Sequence, residues 1–308
     1  MKAKFFSRKI RPFIAFTVLF VFILIFYFCW KEKVDFSGLN QPFIQPAFQA
    51  QITKIEPLEL NETKAAISIL IRENRRGERV FFQKNINHKL PIASLTKLMT
   101  AYVTLRHYNL FDEIEISEQA ILQSGNVGGL ERGQKFLVRD LLYPLLIASC
   151  NDAAFALAEM IGEEKFVNLM NEEAERLGLK NSFFINSTGL DPVNFNQPTN
   201  YSTIEDLVQF TKHLLNFEQN DLLWDILSTR EKDFYGKRLI STNQLLSKKG
   251  LEIKGGRTGW TPRASGSLIL VLRDPRGYII NIVLGVSRPE NRFKEMNKLI
   301  NWIYEPIN

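Results

Sequence analysis

Hydrophobic positions along this chain fall into three patterns. The first is an uninterrupted run, "PFIAFTVLFVFILIFYFCW" at residues 12–30, without a single charge. As a helix rising about 1.5 Å per residue it would span roughly 28 Å, the thickness of a hydrocarbon core. A transmembrane helix is therefore predicted there. The second pattern is short β-type runs near both ends of the remaining chain: "AAISILI" at residues 65–71 with "ERVFFQ" after the turn "ENRRG", and "GSLILVL" with "YIINIVLGV" after the turn "RDPRG". Each pair reads as a hairpin. The third is helical periodicity between them, in residues 94–108, "VRDLLYPLLIAS", "NDAAFALAEMIG", "EKFVNLMNEEAERLGL" and "TIEDLVQFTKHLL", with helix stops expected at Gly162 and Gly178. An amphipathic helix, "RPENRFKEMNKLINWIYE", closes the chain.

Strands at both ends with helices between them predict an α+β fold: one antiparallel β-sheet built from both termini, flanked by helices, with a helical subdomain inserted. The domain is expected over residues 63–308. Residues 31–62 are rich in Gln, Asn and Pro without helical period, and read as a linker.

Charge sets the topology. Lys2, Lys4, Arg8, Lys9 and Arg11 precede the apolar run with no acid among them, whereas a mixed "KEKVD" follows it. The positive-inside rule puts residues 1–11 in the cytoplasm and everything from Lys31 onward outside, in a single-pass protein of the cytoplasmic membrane. The alternative is a cleaved signal peptide, but the run exceeds a usual h-region and no small-x-small site follows Trp30. Cys29 follows "FYF", which argues against a lipoprotein anchor. Of the formal net charge of +6, five units belong to the tail, so 6 − 5 leaves about +1 for the rest. The basic isoelectric point gives no argument for nucleic acid. Cys29 and Cys150 are the only cysteines, on opposite sides of the predicted linker, so no intramolecular disulfide is expected.

The candidate chemistry follows by elimination and then by combination. His88, His107 and His213 are scattered, with no H-E-x-x-H, no Cys/His cluster and no G-x-S-x-G, so neither a metal site nor a Ser-His-Asp triad is expected, and no cofactor. "PIASLTKLMTAY" instead places Ser94 and Lys97 three residues apart, on one helix face beside apolar residues. A lysine buried there loses hydration of its charged form, and its neutral amine can take the proton of Ser94. "LLIASCNDAAFALAE" adds Ser149 and Asn151, a hydroxyl that can relay a proton and an amide that can hold a carbonyl; either could equally be the N-cap of the next helix. "GGRTGWT" adds glycines that allow close backbone approach, with Arg257 and Thr258 as carboxylate donors; by itself it reads as a loop before a strand.

Three such motifs in this order resemble those of the penicillin-binding, serine-type D-alanyl-D-alanine carboxypeptidases, peptidase family S11. The resemblance covers residues 63–305 and extends to "LGLKNSFFINSTGLDP", "NYSTIEDL" and "STNQLL". It implies a β-lactamase/transpeptidase-like fold, with Ser94 as the acylated nucleophile, Lys97 as its base, and Ser149 and Asn151 as the pair on the helical subdomain. Arg257, Thr258 and Gly259 would occupy the third-motif strand. The backbone N–H groups of Ser94 and Trp260 would form the oxyanion hole, and Arg292 would help to hold the substrate carboxylate. The implied partners are peptidoglycan stem peptides ending in D-Ala-D-Ala, and β-lactams as covalent inhibitors.

Arg257 departs from the family lysine; it keeps the charge but is a poor proton donor. Cys150 has no assigned role. Anchoring is expected from the N-terminal span rather than from a C-terminal domain. The alternatives are a D,D-endopeptidase acting on peptidoglycan crosslinks, a β-lactamase, for which no matching glutamate loop is visible, and a catalytically silent wall-binding protein, motivated by Arg257.

Overall fold

The computed structural model describes residues 58–72, 77–125 and 128–304. The predicted membrane span, most of the linker and the turn at residues 73–76 lie outside the described residues. Among the described residues, no helix is long and apolar enough to cross a membrane.

In chain order the elements are β1 (Ala65–Arg72), β2 (Glu78–Lys84), the two-residue β3 (Leu90–Pro91), α1 (Thr96–His107), β4 (Glu113–Glu115), α2 (Glu118–Ile121), β5 (Lys135–Leu137) and α3 (Val138–Tyr143). Then follow α4 (Asn151–Glu159), α5 (Glu163–Arg176), β6 (Tyr201–Ser202), α6 (Ile204–Leu215), α7 (Asn220–Ser228) and the hairpin β7 (Glu231–Phe234) with β8 (Lys237–Ile240). The chain closes with β9 (Ile253–Thr261), β10 (Ser265–Asp274), β11 (Gly277–Val286) and α8 (Asn291–Tyr304).

The main sheet has the order β2-β1-β11-β10-β9 and is antiparallel throughout, so the first and last strands of the chain pair at its centre, with Ile67 opposite Ile282. Its central strands are apolar at nearly every position because both faces are covered, and a side-chain period of two then sends alternate residues into different cores. Ile67, Ile69, Ile269, Val271, Ile280 and Ile282 face the helical part, where Leu98, Met99, Tyr102, Leu207 and Trp224 meet them. Leu70, Leu268, Leu270, Leu272 and Val283 face the other way, against Phe293, Met296, Leu299 and Ile300 of α8. Those four lie on one helical stripe, as the amphipathic pattern requires.

Both predicted hairpins are present, and helices stand at the predicted helical segments. Thr203 starts α6 by accepting from the backbone N–H of Asp206 at 3.2 Å. Two readings change. "GGRTGWT" is not a loop before a strand: it is most of the edge strand β9, with Arg257 paired to Ile269. "VRDLLYPLLIAS" is not one regular helix. Pro144 cannot donate to the helix ladder, and Pro144–Ala148 widens into a π-helical turn that ends at Ser149 in the left-handed region, φ 66°. The short α7 and the hairpin β7–β8 were not predicted.

Candidate active site

A 3-10 turn, Ala93–Leu95, delivers Ser94 to the start of α1. Ala93 sits at φ 47°, a left-handed conformation that costs a residue with a Cβ about 1–2 kcal/mol and must be held by its surroundings. Gly189 supplies part of that hold by packing directly on the turn. A Cβ at Gly189 would lie 2.1 Å from the carbonyl oxygen of Ala93.

One turn along, Lys97 is completely buried. Its Nζ lies 3.1 Å from Ser94 Oγ and donates to Asn151 Oδ1 at 2.6 Å and to the carbonyl of Thr188 at 2.5 Å. Burial, followed by the nearby Arg257 cation, holds its pKa well below the ordinary lysine value. A neutral amine has two N–H donors and one lone pair, which match two fixed acceptors and the Ser94 hydroxyl. A protonated amine has three donors, which match the same three atoms with only the Ser94 bond reversed. The group can therefore gain and release a proton without losing a partner.

Ser149 and Asn151 flank the start of α4. The cap residue itself is Cys150, and it makes no side-chain cap bond, so the N-cap reading of Ser149 and Asn151 does not hold. Asn151 holds Lys97 with its oxygen and donates from Nδ2 to the carbonyl of Ser124 at 2.7 Å. Burial pushes the Cys150 thiol up to about 12, so it stays protonated and is no competing nucleophile.

Arg257 stands directly behind the nucleophile turn. It is 1% exposed, and its nitrogens all bond to protein: Nε to the carbonyl of Ser94 at 3.1 Å, Nη1 to that of Leu146 at 2.7 Å, and Nη2 to Ser149 Oγ at 2.6 Å. At this register on β9 its donors turn into the protein behind Ser94. Burial lowers its pKa to about 9, which leaves it a cation at neutral pH.

A cavity of about 500 Å³ opens in front of these groups, lined by Ser94, Ser149, Asn151, Thr258, Gly259, Trp260 and Arg292 among others. The structure thus brings together all the predicted residues except Lys97 and Arg257 at the cavity wall itself, and places those two directly behind it. Gly259 is confined: a Cβ would approach the carbonyl oxygen of Ile92 to 2.9 Å. Arg292 stacks its guanidinium 4.8 Å from the Phe293 ring, and its Nε is buried without a hydrogen-bond partner.

Sequence reasoning assigned no role to several residues that shape the site. Thr242 lines the cavity, with its hydroxyl 2.6 Å from that of Thr258. Asp191 also lines the cavity, and the Thr188 carbonyl holds the amine. These lie within "STNQLL" and "INSTGLDP", where backbone atoms and ordinary hydroxyls carry no motif of their own.

The Peptidase_S11 family model, described as D-alanyl-D-alanine carboxypeptidase, matches residues 52–288. The D-alanyl-D-alanine carboxypeptidase DacF of Bacillus subtilis is 32% identical over 274 residues, covering 85% of this chain and 67% of its own. DacC of Escherichia coli, of the same description, is 32% identical over 239 residues, covering 73% of this chain and 58% of its own. The chain thus spans about two thirds of the first and less of the second. A D-alanyl-D-alanine endopeptidase of Pseudomonas aeruginosa is 32% identical over 257 residues, covering 80% of this chain and 79% of its own. Among solved structures, penicillin-binding protein D2 from Listeria monocytogenes in its ampicillin-bound form superposes with a TM-score of 0.68 at 27% identity, covering 79% of this chain and 98% of that one.

Proposed function

Because this chain belongs to the peptidase S11 family, we propose that it is a serine-type D-alanyl-D-alanine carboxypeptidase that removes the terminal D-Ala of peptidoglycan stem peptides through an acyl-enzyme on Ser94. The observation that carries the reading is the buried Lys97 amine 3.1 Å from Ser94 Oγ, with matched partners in both protonation states.

In the first half-reaction Ser94 Oγ attacks the carbonyl of the penultimate D-Ala while its proton passes to Lys97. The backbone N–H groups of Ser94 and Trp260 receive the developing oxyanion. Collapse breaks the peptide bond, and the leaving amine takes a proton that Lys97 gives up. Ser149 suits the bridging position: its oxygen accepts from Arg257, which leaves its own hydrogen free to point forward. In the second half-reaction water adds to the ester, Lys97 takes the water proton and returns it to Ser94 Oγ as the ester bond breaks, and the shortened peptide is released. A β-lactam enters by the same attack, opening its ring, and remains as an ester on Ser94. Thr258, Thr242 and Arg292 are the donors on the cavity wall for the substrate carboxylate, and β9, as an edge strand, offers its outer backbone groups to an extended peptide.

The endopeptidase reading uses the same chemistry and is motivated by the Pseudomonas relative. Membrane anchoring through residues 12–30, with residues 1–11 cytoplasmic and a domain over 63–308 outside, rests on the charge-free run and the cation asymmetry around it. The deciding experiment measures D-alanine release from a soluble pentapeptide ending in D-Ala-D-Ala and dimer cleavage on a crosslinked muropeptide, with intact mass after penicillin for the parent and Ser94→Ala. Release with one penicillin adduct that Ser94→Ala abolishes is expected. Faster cleavage of the crosslink would favour the endopeptidase, and an absent adduct would overturn the acyl-enzyme.

A further inference from the structure

Residues 187–191, "STGLD", run as a strut beside the site and touch α1, Lys97, the Ser94 turn and the end of β9 in turn. The carbonyl of Ser187 accepts from Thr100 Oγ1 of α1 at 2.6 Å, and that of Thr188 accepts from Lys97 Nζ at 2.5 Å. Gly189, at φ 82°, packs on the turn that presents Ser94, closely enough that no side chain fits. Leu190 lines the cavity, and Asp191, which also lines it, ends the strut.

Asp191 uses both carboxylate oxygens on the turn that joins β9 to β10. Oδ1 accepts from Thr261 Oγ1 at 3.0 Å and from Thr199 Oγ1 at 3.4 Å, and Oδ2 accepts from the backbone N–H of Arg263 at 2.9 Å. Thr261 Oγ1, oriented by that bond, accepts in turn from the N–H of Ala264 at 3.1 Å. The Arg263 side chain does not pair with the carboxylate; its Nη1 bonds to the carbonyl of Gln197 at 2.7 Å, a second tie between the same two loops. Among the described residues no Lys or Arg side chain forms an ion pair with Asp191. A half-buried carboxylate at a cavity wall whose partners are two hydroxyls and a backbone N–H is arranged to fix backbone, not to neutralise charge. The backbone it fixes begins directly after Trp260.

We propose that Asp191 is a positioning residue: it locks residues 261–264 so that the Trp260 end of β9 stays at a fixed distance from Ser94, while the same strut holds Lys97. The proposal deepens the acyl-enzyme reading and rests on it. Its consequence is that proton acceptance and oxyanion binding are set by one rigid five-residue segment, so that slack at Asp191 weakens the transition state more than the ground state. Preorganised donors act through such placement, and displacements of about 1 Å are enough to cost large factors in rate.

The test compares Asp191→Ala, Asp191→Asn and the parent by three measurements: the rate of Ser94 acylation by a penicillin, kcat and KM for the soluble pentapeptide, and Tm. Asn retains one acceptor and guards against a misfolded Ala variant. The expected result for Asp191→Ala is a fall of tenfold or more in both acylation rate and kcat, with KM within threefold and partial recovery in Asp191→Asn. Two results overturn the proposal. A raised KM with unchanged penicillin acylation would make Asp191 a direct substrate contact. A lowered Tm with unchanged rates well below it would make the tie purely structural. Penicillin acylation does not depend on the peptide substrate, so a parent that is inert on the pentapeptide overturns the carboxypeptidase reading while the acylation comparison still decides the role of Asp191.

Discussion

Arg257 Nη2 donates to Ser149 Oγ across 2.6 Å, and the same guanidinium also holds the carbonyls of Ser94 and Leu146. One side chain thereby ties the nucleophile turn to the π-helical turn on the helical subdomain. Lysine could keep the Ser149 bond but has no fork with which to reach three acceptors in fixed directions. Arg257→Lys is expected to acylate within about tenfold of the parent, about 1.4 kcal/mol in barrier. Its alkaline activity limb should move to lower pH, because an ammonium starts from a lower ordinary pKa, about 10.4, before burial lowers it further. Arg257→Ala strands two carbonyls and a hydroxyl in the interior and should lose both Tm and acylation. A pH profile of penicillin acylation from pH 5 to 10 checks the first two claims; an unmoved alkaline limb in Arg257→Lys would sink the second.

Lys97 sets the acid side of the same profile. Its depressed pKa means that the amine is neutral in the folded protein at pH values where the unfolded chain still carries the charge. Acylation should therefore rise with pH through the folded pKa, since a protonated amine cannot accept the Ser94 proton. The sign for stability follows from proton counts. Between the depressed folded pKa and the unfolded value the unfolded state binds more protons, so this group makes the protein gain stability as pH rises across that window. In Lys97→Gln the acylation should vanish and that contribution to the slope of stability against pH should disappear. Urea denaturation at several pH values measures it; an unchanged slope would mean that Lys97 is charged in the folded state.

Gly189 and Gly236 form a matched pair for testing the strut. Both have φ near 80°, but a Cβ at Gly236 meets nothing within 4 Å whereas one at Gly189 falls 2.1 Å from the Ala93 carbonyl. Gly236→Ala should show only the cost of a left-handed residue, about 1–2 kcal/mol. Gly189→Ala adds a collision with backbone that cannot move without moving Ser94, so it should destabilise more and slow acylation at least tenfold. Equal losses in the two variants would show that Gly189 is required for its conformation alone. Chemical denaturation and penicillin labelling give the two readouts.

Period and punctuation made the sheet, the long helices and the closing amphipathic helix legible, because burial on one or both faces leaves a repeating mark in side-chain type. The site was legible wherever chemistry needs a particular side chain: Ser94, Lys97, Ser149 and Asn151 stand together as expected. Features made by backbone left no such mark. The Thr188 carbonyl, the left-handed Ala93 and the π-helical turn depend on what packs around them. Segments too short to show a period were missed for the same reason, as with β7 and β8, four residues each and with their charges side by side rather than alternating. Arg257 was read as a cation of the third motif and as a carboxylate donor; residue type specifies what a group can bind, register specifies which way it points, and here the guanidinium points into the protein behind Ser94.

With the donors of Arg257 bonded within the protein, the carboxylate question falls on Arg292. It lines the cavity, and burial lowers its pKa, so an incoming carboxylate would offset the cost of holding its charge there. Thr258 and Thr242, hydroxyl to hydroxyl at 2.6 Å, stand on the same wall and can share that carboxylate. Because this contact is made in the ground state and kept in the transition state, its loss should appear in KM rather than kcat. Arg292→Ala is expected to raise KM for the pentapeptide tenfold or more with kcat within threefold. A substrate with its C-terminal carboxylate amidated should be turned over poorly by the parent and equally poorly by Arg292→Ala, because the lost interaction is then absent from both. If Arg292→Ala still discriminates fully between the free and the amidated substrate, the carboxylate is held by the threonine pair alone, and Thr258→Val is the variant in which the discrimination should disappear.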